Sequence, residues 1–126
     1  MPRRSALISW ALARLAGRFP LLALTNGNAD VHLVGIGHLF VGSVGAHTVG
    51  LPKPHKAIFD AAASALGCRP EEVLHVGDDA LLDVLAAMDA GMQSVWVNRQ
   101  GASWPHERTP HLAVPSLDVL CHALGV

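Results

Sequence analysis

The sequence predicts an α/β fold: a partial doubly wound parallel sheet with helices on both faces. Three observations carry this. Short continuous apolar runs of strand length alternate with segments of helical periodicity. The runs end in Asn, Gly and Asp, the residues of tight turns. The chain has 126 residues, 51% of them hydrophobic, which suits one domain with a substantial core and excludes disorder. A single domain over residues 1–126 is therefore expected, built with right-handed crossovers.

The elements follow in order. Leu7, Ile8, Ala11, Leu12 and Leu15 recur at helical spacing, with Trp10 assigned to the core stripe, and Gly17 and Pro20 end the helix. Leu21–Leu24 reads as a buried parallel strand, closed by Thr25-Asn26-Gly27-Asn28. Val31–Gly37 carries a weak helical signal, and Leu39–Val44 reads as a second strand containing Phe40 and Val41. Gly45–Pro54 reads as a loop. Ala57–Leu66 is a helix burying Ile58, Ala61, Ala62, Ala65 and Leu66, with Gly67 past its end. After a turn at Arg69–Glu72, Val73–Val76 is a third strand ending in Gly77-Asp78-Asp79. Ala80–Ala90 is a helix closed by Gly91, Gln93–Val97 a fourth strand, and Leu112–Val114 a short fifth. Ser116 caps a last helix to Leu124.

Charge and composition exclude several classes. Nine Lys and Arg against ten Asp and Glu give a net charge of −1, with no electrostatic case for nucleic acid or an anionic membrane. The most apolar stretch, Ala6–Leu24, holds Arg14, Arg18 and Pro20, so no membrane span or signal peptide is read there. The two cysteines, Cys68 and Cys121, form no disulfide framework, and a cytoplasmic, reducing compartment is expected. Eight histidines lack ligand spacing. His75 reads as a hydrogen-bonded core residue, and Trp96 and Trp104 as packing.

In a doubly wound sheet the functional groups gather at the carboxyl ends of the strands. Three polar clusters fall there. Thr25 offers a hydroxyl, and the amides of Asn26 and Gly27 lie where the chain turns away from a strand, a setting that suits anions. Lys53 is a point positive charge suited to a phosphate oxygen. Asp78 and Asp83 flank a strand-to-helix junction and suit a hard cation such as Mg²⁺, which takes one or two carboxylates plus phosphate oxygens. Asp79 is a weaker candidate. Singly, each cluster reads as a turn, a solvated loop lysine or a helix cap; their shared placement points to phosphate and metal binding.

These residues resemble the haloacid-dehalogenase-like hydrolases, a family with a Rossmann-like core. "LLALTNG" at 21–27 looks like the family's second motif, "KPHKAIF" at 53–59 like its third, and "HVGDDALLD" at 75–83 like its fourth. "AGMQSVWVNRQG" at 90–101 is similar to the stretch that follows in the capped phosphatase branch. The resemblance implies that Thr25 and the Asn26 and Gly27 amides bind phosphoryl oxygens. It makes Lys53 the catalytic lysine, with Lys56 its rival. Asp78 would hold Mg²⁺, supported by Asp83 directly or through water. It implies a small phosphorylated metabolite or nucleotide as substrate.

The family's first motif is a strand ending in Asp-x-Asp, whose first Asp attacks phosphorus. No Asp-x-Asp occurs in this sequence, and no helical cap precedes the second motif. The chain thus resembles the C-terminal part of a phosphomonoester phosphatase, expected to be inactive alone. The alternative is a non-catalytic module that binds a partner through exposed sheet edges; a dehalogenase parent is also open. The first-motif strand belongs between Leu21–Leu24 and Val73–Val76. Its absence predicts a gap of roughly 9.6 Å between those strands. The two strands either close up and pair, or leave open edges that promote self-association or take a strand from a complementing chain. Association is the favoured expectation.

Overall fold

The computed structural model describes residues 4–25 and 37–126. The first strand, β1 (Leu22–Thr25), runs parallel to β2 (Gly42–Gly45), with Leu22 opposite Gly42 and Thr25 opposite Gly45. A second sheet has the order β3 (Leu74–Gly77), β4 (Gln93–Val97), β5 (Leu112–Val114), also all parallel. Among the described residues β1 and β3 do not pair, so the sheet is split where the sequence predicts a gap. The strands have not closed up.

Helix α1 (Arg4–Ala16) buries Ala11 and Leu15 against Cys121 of the last helix, α5 (Leu117–Leu124). The Cys121 thiol donates to the Ala11 carbonyl at 3.4 Å, and the Arg14 guanidinium donates to the Val126 carbonyl. Trp10 does not join this stripe. It is 50% exposed, because Ala11 and Leu15, four positions apart, define the buried face and Trp10 sits beside it, under the Arg14 guanidinium. Ser116 caps α5 by accepting from the Val119 amide, as the sequence predicts.

Strand β2 starts later than expected. Gly37–Leu39 forms a 3₁₀ turn and Val41 is 65% exposed, although its amide already donates to the Leu21 carbonyl at 2.7 Å. Gly42 and Gly45 have low strand propensity and hide the true strand from sequence. Residues 31–36 of the weakly signalled helix lie outside the described residues. Instead of continuous loop, residues 45–54 contain a single turn of helix, α2 (Ala46–Val49), closed by Gly50 in the left-handed region.

Helix α3 (Lys56–Leu66) is capped by the His55 ring, which accepts from the Ala57 amide, and closed by Gly67 at φ 67°. Its buried face is Ile58, Phe59, Ala62 and Ala63, rotated from the expected stripe so that Phe59 enters the core and Ala65 faces solvent. Ile58, Phe59 and Ala63 share one cluster with Val44 and Leu24 of the first sheet and with Ala86, Ala87 and Ala90 of the helix that follows β3, and Phe59 meets His75 of β3.

The helix expected over Ala80–Ala90 is real but not regular. Its first part, Ala80–Leu85, is π-helical and continues as α-helical Ala86–Asp89; together these form α4. The Asp79 carbonyl accepts from Asp83 N at 3.1 Å and from Val84 N at 3.2 Å, which widens the turn. No helix among the described residues is long and apolar enough to cross a membrane.

Candidate active site

Strand alternation starts the site. His75 and Gly77 are two apart on β3, so they share a face, and that face meets Asp83 of α4. Gly77 is needed there: a Cβ would lie 2.5 Å from both Asp83 Cβ and Oδ2. The bare backbone lets the π turn settle on the strand end and leaves Asp83 only 4% exposed.

A buried carboxylate needs partners. Asp83 Oδ1 lies 2.6 Å from Lys53 Nζ and 3.1 Å from His75 Nε2, and Oδ2 accepts from the Asp79 amide at 3.3 Å. Burial pushes the Asp83 carboxyl up, but hydrogen bonds from His75 and Lys53 and the Lys53 charge outweigh it and lower the pKa from 3.8 to about 2. Phe59 packs edge-on to the His75 ring at 5.2 Å, fixing the imidazole from the α3 side.

The placement of the remaining candidates is as follows. Lys53 turns inward to the strand ends, and Lys56 pairs instead with Asp60 on the exposed face of α3. Thr25 ends β1 and lines the same cleft as Lys53 and Asp78. Asn26 and Gly27 lie outside the described residues. Asp79 is occupied as a helix cap, its Oδ1 accepting from the Leu81 and Leu82 amides at 2.9 and 2.7 Å. The Asp78 side chain is exposed at the cleft mouth, and its carbonyl accepts from the Trp96 indole at 2.9 Å.

Three contributors were not singled out for the site by sequence. His75 reads from sequence as a hydrogen-bonded core residue, and the partner of that bond is Asp83. Trp96 was read as packing, yet it pins the Asp78 backbone. Arg99, just past β4, joins Lys53, His75, Asp78 and Asp83 around a hollow of about 300 Å³. Arg99 had a signal, its position at a strand's carboxyl end.

Among the described residues no three His, Cys, Asp or Glu side chains converge on one point. The donors that do face the mouth are the Asp78 carboxylate and, behind Lys53, that of Asp83. That set does not suit a tetrahedral zinc or a many-oxygen calcium cage. It fits Mg²⁺, which keeps several waters and uses one or two carboxylates with substrate oxygens.

The chain matches the family model described as HAD-hydrolase-like over residues 50–120. It is 37% identical over 110 residues to the 5-amino-6-(5-phospho-D-ribitylamino)uracil phosphatase of Escherichia coli, covering 84% of this chain and 46% of that protein. It is 39% identical over 102 residues to the phosphoserine phosphatase of Thermus thermophilus, covering 77% of this chain and 41% of the relative. The crystal structure of a 2-haloacid dehalogenase from Pseudomonas syringae superposes with a TM-score of 0.86 at 35% identity, over 91% of this chain and 50% of that one. The chain spans about half the length of the proteins it matches.

Proposed function

From its membership of the HAD-hydrolase-like family, to which the chain belongs, we propose that it provides the phosphate- and cation-binding half of a phosphomonoester phosphatase. The observation that carries this is the Lys53–Asp83 pair set at the strand ends beside Thr25 and Asp78. Asp83 and His75 hold Lys53 at the cleft mouth, where its ammonium neutralises a phosphoryl oxygen. Thr25, with the Asn26 and Gly27 amides, takes the other oxygens. Asp78 holds Mg²⁺ directly and Asp83 supports it through water. The cation, when bound, offsets phosphoryl charge and fixes its orientation.

Substrates are small phosphorylated metabolites or nucleotides, in line with the phosphatases named above. The in-line attack needs a carboxylate. No Asp-x-Asp is present in this sequence, so this chain alone binds without turning over. The two cysteines are free thiols, in keeping with a reducing cytoplasm. A dehalogenase parent is a second reading, favoured by the superposed dehalogenase. It needs no cation, so the two readings separate at Asp78.

The test uses purified chain, an aryl phosphate and Mg²⁺. The expected result is no release of the aryl alcohol above background, and Mg²⁺-dependent binding of inorganic phosphate by calorimetry that Asp78→Asn weakens at least tenfold. Turnover that scales with the chain and disappears in Asp78→Asn overturns the inactivity. Phosphate binding indifferent to both Mg²⁺ and Asp78 overturns the phosphatase reading.

A further inference from the structure

Asp78 stands between two elements. Gly77 closes β3 and Asp79 caps α4, so neither a strand nor a helix contains the residue between them. Its carboxylate is exposed, and where that carboxylate can reach is set by the backbone that carries it. The Asp78 carbonyl lies just past the β3–β4 ladder, whose last pair is Gly77 with Trp96. A side chain holds it instead: the Trp96 indole N–H donates to this carbonyl at 2.9 Å. Trp96 is 8% exposed, and a buried indole N–H needs an acceptor. Trp96 lies opposite Gly77 and shares its face, so the indole reaches one residue past the strand end.

Trp96 is itself held from outside. The Trp104 ring packs edge-on to it, with centroids 4.9 Å apart. Trp104 belongs to the segment 98–111 between β4 and β5, which holds neither helix nor strand. Side chains tie this segment down. Asn98 donates to the Ala102 carbonyl at 2.8 Å and accepts from the Ala102 amide at 2.9 Å. The Trp104 indole donates to the Arg108 carbonyl at 2.8 Å, and the Arg108 guanidinium reaches Asp89 of α4 at 2.5 Å. The His106 ring packs edge-on to Trp104 at 5.6 Å. The segment is thus a brace that runs from α4 through Trp104 and Trp96 to the Asp78 carbonyl. Packing alone would be served by any ring at position 96. The N–H adds a bond to one carbonyl, that of the candidate cation ligand.

We infer that Trp96 is a positioning residue for the cation site: its indole N–H fixes the Asp78 backbone so that the carboxylate faces the cleft mouth, and Trp104 holds Trp96 in place. The inference rests on the proposed role of Asp78 as a cation ligand and deepens it. Trp96 acts only through Asp78. Groups that orient a metal ligand from behind typically contribute about 10–100-fold in metal affinity. Trp96 holds the backbone and leaves the carboxylate itself exposed, which places its effect at the lower end, about tenfold. Trp104 acts at one remove, so its loss shifts cation affinity in the same direction and by less.

The test titrates the chain with Mn²⁺ alone, an octahedral, oxygen-seeking stand-in for Mg²⁺, and counts the free ion by electron paramagnetic resonance. Trp96→Phe keeps a ring against Trp104 and removes the N–H. Its Mn²⁺ dissociation constant is expected to rise about tenfold. The Asp78 carbonyl carbon, having lost its donor, should move upfield by NMR. The control is Val114→Ala, which loosens the core on the other face of β4, where Val114 packs with Val95 and Val97. It should lower the thermal midpoint at least as much as Trp96→Phe and leave both Mn²⁺ binding and the Asp78 carbonyl shift as in the parent. Unchanged Mn²⁺ binding in Trp96→Phe overturns the inference, and so does an equal loss in Val114→Ala. Asp78→Asn separates this inference from the reading beneath it. If Asp78→Asn weakens Mn²⁺ at least tenfold and Trp96→Phe does not, the cation reading stands and the inference falls. If Asp78→Asn changes nothing, or the parent binds no Mn²⁺, both fall. If Trp96→Phe does not fold, 3-benzothienylalanine in place of Trp96, introduced by ligation at Gly67–Cys68, puts sulfur where the N–H was. The same rise must then appear, and its absence overturns the inference.

Discussion

Replacing Gly77 with alanine tests the packing on which the site depends. The added Cβ would sit 2.5 Å from Asp83 Cβ. No side-chain rotation relieves that contact, because the backbone fixes both atoms. The backbone of Asp83 is itself tied, its N donating to the Asp79 carbonyl at 3.1 Å, and Gly77 is held in register opposite Trp96. The π turn must therefore lift away from β3. Lifting it separates Asp83 from Lys53 and His75, contacts of 2.6 and 3.1 Å at a carboxylate that is 4% exposed. Breaking a buried ion pair costs about 3–5 kcal/mol. With a urea slope of about 1–3 kcal/mol/M, the unfolding midpoint should fall by roughly 2 M.

Gly101→Ala is the control. Gly101 has φ +66° with nothing within 4 Å of its would-be Cβ, so only backbone strain of about 1 kcal/mol is at stake. Gly77 is not in the left-handed region, so its cost is contact alone. A double variant, Gly77→Ala with Asp83→Gly, removes the colliding atoms and should be less destabilised than the two single changes summed. A Gly77→Ala midpoint within about 0.5 M of the parent would refute the reasoning, because Asp83 would then have room that the packing denies it.

Acid should unfold the chain partly through Asp83. Its folded pKa of about 2 lies below the ordinary 3.8, so the ionised form is favoured by folding. The resulting stability, about 2 kcal/mol, is present above pH 4–5 and lost as pH falls toward 2; urea midpoints measured between pH 6 and pH 2.5 should show it, with a smaller fall in Asp83→Asn. Lys53→Met should cost about 3 kcal/mol by leaving the Asp83 carboxylate buried without its ion-pair partner. Lys56→Met, at an exposed pair with Asp60, should stay within about 0.5 kcal/mol, and equal effects by thermal unfolding would refute the choice of Lys53 over Lys56.

What sequence revealed of this site was whatever local chemistry encodes. Short apolar runs marked β3 and β4 to within a residue. A lysine followed by proline distinguished Lys53 from Lys56, and the interval from Gly77-Asp78 to Asp83 identified the helix that faces the strand end. What it concealed depends on register. Trp96 reaches the Asp78 carbonyl because it lies opposite Gly77, a pairing that no local pattern specifies. The π turn has no composition of its own; it arises because one carbonyl, that of Asp79, accepts twice. His75 was half legible. Period-two alternation places it on the face of Gly77, and a glycine beside an acidic residue on the next element marks a face approached closely by something bulky.

The Lys53–Asp83 pair also has a place in the larger architecture. Lys53 follows β2 and α2, on the β1 side of the cleft, whereas Asp83 and His75 belong to the β3 side. The pair therefore ties the two sheets together at their carboxyl ends. Away from that end the ties are made by helices: α3 packs against Val44 and Leu24 and sets Phe59 against His75 of β3, and α1 meets α5 through Ala11, Leu15 and Cys121. Between these ties runs the cleft, without a strand ladder among the described residues to hold β1 and β3 at a fixed spacing. Lys53 and Thr25 thus stand on one wall and Asp78, Asp83 and His75 on the other. Spacing between the walls sets the spacing between the groups proposed to take phosphate and those proposed to hold the cation. A strand bonded to both edges would fix that spacing to the about 4.8 Å interval of a sheet on either side. Filling the cleft and aligning the two halves of the site are then a single structural event.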